Sequence, residues 1–246
     1  MDAVDLREFY ATPCGRVAQR MVRNNLRQMW PDVSGQNVLG IGYPTPYLGL
    51  FRHEAQRTVA AMPARQGVLH WPPSEPGLTT LVQEKELPFA DLSMDRVLMV
   101  HAIESTERLR HMLREAWRVM TESGRLLIVA PNRRGLWARM EMSPFAHGQP
   151  YSPAQLSRLL RDNMFTPVRS QVGLYMPPSS TRLMLGSAPA FEQIGRRFFP
   201  AFGGVVIIEA AKEIYAGQMA GERQTRRAFA LAPPGSTNRA HRGLKR

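Results

Sequence analysis

Val38-Leu39-Gly40-Ile41-Gly42-Tyr43-Pro44-Thr45-Pro46-Tyr47 reads as a short apolar strand that enters a tight turn, and a helix-like segment, Tyr47 to His53, leaves it. In an α/β domain this layout presents backbone N–H groups to a ligand at the C-terminal end of the strand. Glycine suits such a loop because it reaches positive φ and lets a ligand approach the backbone closely. Proline holds φ near about −65° and has no N–H. Pro44 and Pro46 therefore put altered chemistry into the setting of a nucleotide-type cofactor loop.

Apolar runs and helical spacing alternate on both sides of this stretch. Residues 5–30 predict one or two helices, with Val17, Met21, Leu26 and Trp30 on the apolar face and Arg16, Arg20, Arg23 and Arg27 near one basic stripe. Asn37 to Ile41, Thr58 to Met62, Thr79 to Val82, Arg96 to His101 and Arg125 to Ala130 predict strands, and Gly67 to Trp71 is a further candidate. Arg125 to Ala130 is a continuous apolar run, as strands buried on both faces require. Glu107 to Met120 has helical spacing, and Gly124 stands at a helix-ending position. Ser152-Pro153 opens another helix, with serine as cap and proline in the first turn. Val168 to Tyr175 and Val205 to Ala210 are the last strand candidates, separated by a Pro-, Ser- and Met-rich loop with a short helix. Strands alternating with helices predict an α/β fold with a largely parallel sheet.

The chain has 246 residues, 43% of them hydrophobic, enough for one substantial core. No apolar run reaches the roughly 20 residues that span a bilayer. The acidic N-terminus reads as neither a secretory nor a transit signal, and the single cysteine, Cys14, allows no internal disulfide. A cytoplasmic location is the expectation. The net charge is +12, and residues 217–246 carry seven basic residues against one acid, Glu222. That segment predicts a basic tail, a place for an anionic partner such as nucleic acid, acidic protein or lipid. Aromatic and basic residues do not interleave there as in a nucleic-acid stacking platform.

Leu87-Pro88-Phe89-Ala90-Asp91-Leu92-Ser93-Met94-Asp95-Arg96-Val97, followed by an apolar strand, resembles the central segment of class I S-adenosylmethionine-dependent methyltransferases. Leu113 to Met120 with Gly124-Arg125-Leu126-Leu127-Ile128-Val129 is similar to that family's next segment. The resemblance covers roughly residues 35 to 212 and is best to the small-molecule-type branch. It implies a three-layer Rossmann-like sheet of seven mostly parallel strands, helices on both faces and the last strand antiparallel. It divides the chain into an N-terminal helical segment (1–34), a methyltransferase-like domain (35–216) and the tail (217–246).

The family's first strand ends in an acid and a run of glycines. Aligned on Gly42, the acidic position is Gly40 and the later glycines are Pro44 and Pro46, while Thr45 keeps a small polar spacer. The second strand ends Ala60-Ala61-Met62-Pro63, without the acid that grips the ribose diol. Losing that charge-assisted pair weakens binding by about 1–3 kcal/mol. The resemblance implies S-adenosylmethionine as cofactor, with Gly40, Gly42 and Tyr43 near it. Met62 and Pro63 then pack on the adenosine, Gln83 or Glu84 reads the adenine amino group, and the backbone at His101 faces the methionine arm.

For chemistry, His101 and Glu104 form a general acid–base pair candidate. Arg133, Arg134 and Trp137 follow the fifth strand, where the family places its substrate, and His147 and Tyr151 lie beyond them; an anionic substrate or partner suits the arginines. No H-x-x-x-H or C-x-x-C spacing suggests a metal. Two readings are open: a methyltransferase with an unidentified acceptor and a divergent cofactor loop, or a catalytically inactive protein of that fold that binds protein or RNA through basic surfaces.

Overall fold

The apolar runs become seven strands, β1 (Asn37–Gly42), β2 (Arg57–Pro63), β3 (Thr79–Val82), β4 (Met94–Val100), β5 (Met120–Pro131), β6 (Phe165–Gly173) and β7 (Val205–Lys212). The computed structural model describes residues 1–141 and 143–214; the tail expected over 217–246 lies outside the described residues. The strands form one sheet in the order β3-β2-β1-β4-β5-β7-β6. β1 to β5 pair in parallel, and β7 runs antiparallel to both β5 and β6. The strand order reverses between β1 and β4, and at such a switch point open α/β sheets bind ligands beyond the carboxyl ends of the strands.

Among the described residues seven α-helices flank the sheet: α1 (Ala3–Ala11), α2 (Pro13–Met29), α3 (Thr45–Leu48), α4 (Leu109–Val119), α5 (Pro153–Arg161), α6 (Arg182–Gly186) and α7 (Ala188–Phe198). Side chains alternate across the sheet and build two cores. Val38, Leu98, Val100, Leu127, Val129 and Ile207 pack with α1 and α2. Leu39, Ile41, Val97, Met99, Ile128 and Ile208 pack with α4 and α5. α1 and α2 are separate helices because Thr12 caps the second, accepting from Gly15 N–H, with Pro13 in the first turn. Asp2 and Asp5 form a capping box that starts α1. Met1–Ile214 form one compact unit. Among the described residues no helix is long and apolar enough to cross a membrane.

Several local expectations change. Gly67 to Trp71 is not a strand. Thr121 to Gly124 does not end α4; the β4–β5 ladder is interrupted between Met94 and Arg96, opposite Met120 and Arg125, so these residues form a bulge inside β5. The helix after β1 is only the four-residue α3, and turns follow it. Between β6 and β7 stand two helices, α6 and α7, where one short helix is expected.

Candidate active site

The β1 turn is shaped by contacts within the chain. Gly42 has φ +94°, and a Cβ there would overlap the Val100 carbonyl oxygen and crowd Ala102. Glycine is thus required for the turn to pass over the end of β4. A Cβ at Gly40 would overlap Pro44. Tyr43 N–H donates to Val100 O at 2.8 Å. Pro44 precedes α3 and Pro46 lies in its first turn, where N–H groups have no helical partner, so the prolines cost the helix no hydrogen bond.

α1 lies across the crevice between β1 and β4. Its Tyr10 ring stacks on Tyr43 at 6.1 Å and meets Tyr47 edge-on. The Tyr10 hydroxyl bonds Tyr47 Oη at 2.8 Å and His101 Nε2 at 2.7 Å. His101 follows β4 directly in the left-handed region, φ 50°, a conformation histidine tolerates better than most residues. Burial, with Tyr47 alongside, pushes the Tyr10 phenol well above its ordinary value, and burial likewise raises Tyr47 and Tyr43. All three are therefore neutral at physiological pH. At the start of α1, Ala3 N–H donates to Gln66 O at 2.7 Å.

Behind His101 lies a small cavity of about 80 Å³ walled by Leu6, Gln66, His101, Glu104, Ser105 and His147. Glu104 is 7% exposed. Its Oε1 stands 3.3 Å from His101 Nδ1, and neither carboxylate oxygen accepts a hydrogen bond. Gln66 donates from Nε2 to His101 O, but its Oε1 has no partner. Three buried acceptor atoms thus lack a donor at one point of the crevice, an arrangement that costs free energy until a donor group arrives. His147 is placed here by the turn at Gly148, where a Cβ would overlap the Glu104 carbonyl oxygen.

A second, open hollow of about 430 Å³ lies at the ends of β2 and β3, beside Ala64, Arg65, Gln83, Glu84, Lys85 and Glu107. It is separated from the first by the 64–66 and 104–108 segments, where Arg65 pairs with Glu107 at 2.9 Å and Thr106 Oγ1 donates to Glu84 at 2.6 Å. Met62 and Pro63 are buried behind this wall.

The other marked residues scatter. Arg133 and Arg134 are exposed beyond β5. Trp137 is buried, donates to Met176 O at 2.6 Å and meets Phe145 edge-on. Tyr151 packs in the α4–α5 core with its hydroxyl toward Ile103 O. The crevice therefore gathers Gly42, Tyr43, His101, Glu104 and His147, and adds Tyr10, Tyr47 and Gln66, which the sequence did not single out. The four-residue spacing of Leu6 and Tyr10 marks Tyr10 as inward-facing on α1, a signal the sequence analysis did not use; Tyr47 and Gln66 carry no such local signal. A further hollow, about 570 Å³, lies between α2 and α7 and contains none of the candidate site residues. Among the described residues, no cluster of three or more His, Cys, Asp or Glu is placed to hold a metal.

Residues 39–128, which span β1 to β5 and the crevice, match the family model described as "Methyltransferase domain". That stretch of the chain resembles a methyltransferase domain. The chain's fold is shared with a SAM-dependent methyltransferase of Thermotoga maritima, a possible histamine N-methyltransferase, at TM-score 0.58 and 16% identity, covering 84% of this chain and 94% of that one. A SAM-dependent methyltransferase of Archaeoglobus fulgidus aligns at TM-score 0.56 and 20% identity over 79% of this chain and 94% of its own. The Burkholderia thailandensis 1,6-didemethyltoxoflavin-N1-methyltransferase, solved with S-adenosylhomocysteine, aligns at TM-score 0.51 and 15% identity over 78% and 76%. Among curated proteins, none matches the sequence. In this methyltransferase fold, Gly40 and the end of β2 carry no carboxylate, and the buried carboxylate of the crevice comes from beyond β4.

Proposed function

We propose that this chain is an S-adenosylmethionine-dependent methyltransferase with its cofactor in the crevice between β1 and β4, acting on an acceptor that carries an ionisable O–H or N–H. The observation that carries the reading is the buried, donor-less carboxylate of Glu104 beside the equally unpartnered Gln66 Oε1. These acceptors fit an ammonium, which brings three N–H donors, and the methionine arm of the cofactor ends in one. At the far end, the Gln83 carbonyl and Glu84 line an open hollow suited to an amino group of adenine. Glu104 thereby supplies, from the β4 side, the charge that Gly40 and Met62-Pro63 do not. Bound S-adenosylhomocysteine in the Burkholderia enzyme of the same fold supports this choice of cofactor.

When bound, the cofactor supplies an electrophilic methyl group that needs only an acceptor lone pair held in line. The chain's part is to hold, to dry and to deprotonate. Glu104 Oε1 facing His101 Nδ1 favours the tautomer with its proton on Nδ1, so Nε2 is left as the base that takes the acceptor's proton. Phe145, 4.9 Å from the His101 ring, and Trp137 behind it wall the base off from water. Tyr10 now holds Nε2, so α1 is a cover that withdraws before ligands enter. Glu104→Gln keeps the shape and removes the charge. S-adenosylhomocysteine is expected to raise the melting temperature of the wild type. The variant's affinity falls at least about tenfold, the loss of one charged hydrogen bond. Equal stabilisation of both proteins would show that Glu104 does not hold the ligand.

A further inference from the structure

The segment joining β6 to β7 carries a cluster of large apolar side chains that face solvent. Leu183 on α6 is 82% exposed, and Ile194, Phe198 (64%), Phe199 and Phe202 (59%) follow on α7 and the turn after it. α7 buries its other face, Ala188 and Gly195, the latter against the Tyr175 ring. Ile194 and Phe198, four residues apart, therefore stand together on the outside. Arg182 and Arg197 are exposed on the same two helices, with the Arg197 guanidinium 5.8 Å from the Phe198 ring, while Arg196 turns toward α2 and bonds Asn25 Oδ1 at 3.2 Å. The only acid between residues 182 and 204 is Glu192, whose carboxylate accepts from the backbone N–H groups of Leu174 and Tyr175 at 3.3 and 3.0 Å and pairs with Arg196 at 3.5 Å.

This surface continues into the loop after β5. Asn132 donates from Nδ2 to Ala201 O at 2.9 Å and to Gly203 O at 2.6 Å, and its N–H donates to Gly204 O. These bonds tie the turn bearing Phe202 to the loop bearing Arg133, Arg134 and the half-exposed Leu136.

We propose that α6, α7 and the 131–136 loop form a docking surface for an anionic lipid bilayer, with Phe198, Phe199 and Phe202 inserting at the headgroup–acyl boundary and the exposed arginines meeting lipid phosphates. Apolar and aromatic side chains beside arginine are what an interfacial helix presents to such a surface, and arginine stems reach from apolar depth to the phosphates. Side chains as exposed as Leu183 and Phe198 protrude; they do not line a groove for a peptide. The hollow of about 570 Å³ beside the same helix has Arg20 and Arg197 in its wall, together with the Arg196–Glu192 pair and apolar Met21 and Ala188.

The test is sedimentation of the full chain with vesicles of equal parts phosphatidylcholine and phosphatidylglycerol, and with phosphatidylcholine alone. The wild type is expected to bind the anionic vesicles in a salt-sensitive way and to leave the neutral ones unbound. Phe198→Ser with Phe202→Ser, and separately Arg182→Glu with Arg197→Glu, lower the partition coefficient at least about tenfold with unchanged melting temperatures. Failure to bind anionic vesicles would overturn the proposal. So would binding that both variants retain, which assigns it to another basic surface. A dimer seen by light scattering and dissolved by the serine pair would give the face to a second copy, and capture of polyglutamate without vesicle binding would give it to an acidic protein; either overturns the proposal.

Discussion

Tyr10→Phe separates a cover from a ligand contact. The substitution keeps the ring that stacks on Tyr43 and meets Tyr47, and removes only the hydroxyl bonded to Tyr47 Oη at 2.8 Å and His101 Nε2 at 2.7 Å. Two buried hydrogen bonds at about 0.5–1.5 kcal/mol each make a loss of about 1–3 kcal/mol. For a chain of this size that lowers the melting temperature by about 2–12 °C. All of it belongs to the closed arrangement, because both partners stand on the sheet side of the crevice. If α1 and ligand compete for one place, weakening closure by about 1–3 kcal/mol raises the open fraction about 5–150-fold while that state is scarce. The apparent dissociation constant falls in proportion. Stability and affinity then move in opposite directions. Calorimetric melting gives the first, and isothermal titration with S-adenosylhomocysteine gives the second. Lower stability together with weaker binding would refute the reasoning and make Tyr10 part of the ligand site.

Other outcomes follow from the same geometry. Glu115 accepts from Leu87 N–H at 2.8 Å and from Arg118 at 2.8 and 3.0 Å, and hydrogen bonding from Arg118 holds its carboxyl below the ordinary value. Its folded pKa is lowered, so its contribution is present above about pH 4.3 and is lost as pH falls through the folded value; Glu115→Gln costs about 1–3 kcal/mol in urea melts at neutral pH and progressively less in acid. Burial raises Tyr10 and Tyr47, so the stability they lend is complete below about pH 10 and is lost above it, which phenolate absorbance followed alongside unfolding will report as ionisation coincident with melting. Gly42→Ala places a methyl group on the Val100 carbonyl at φ +94°, and a loss of at least about 2 kcal/mol is expected in denaturant titration.

Where apolar runs are continuous and the sheet covers both faces, the sequence was legible. Val38–Ile41, Val97–Val100 and Leu126–Ala130 are strands because no other element buries such runs on both sides. Thr121-Glu122-Ser123-Gly124 misled because a polar turn signal and a bulge have the same composition; only the interrupted ladder opposite Met94 and Arg96 separates them. α7 was underrated because the Pro- and Ser-rich stretch before it reads as loop, although Phe191, Ile194 and Phe198 follow helical spacing and Phe191 packs on the core. The crevice was half legible. His101 and Glu104 are three residues apart and could be paired on spacing. Tyr10 and Gln66 reach the same point from 91 and 35 residues away, and nothing local in one sequence encodes such contacts.

A crystal structure of the full chain grown with saturating S-adenosylhomocysteine bears most directly on the central claim. The expected result is ligand between β1 and β4, its ammonium on Glu104 and Gln66, its adenine toward Gln83 and Glu84, and Tyr10 withdrawn from His101 Nε2. Ligand bound elsewhere, or a crevice still closed by the Tyr10–His101 hydrogen bond, would contradict it.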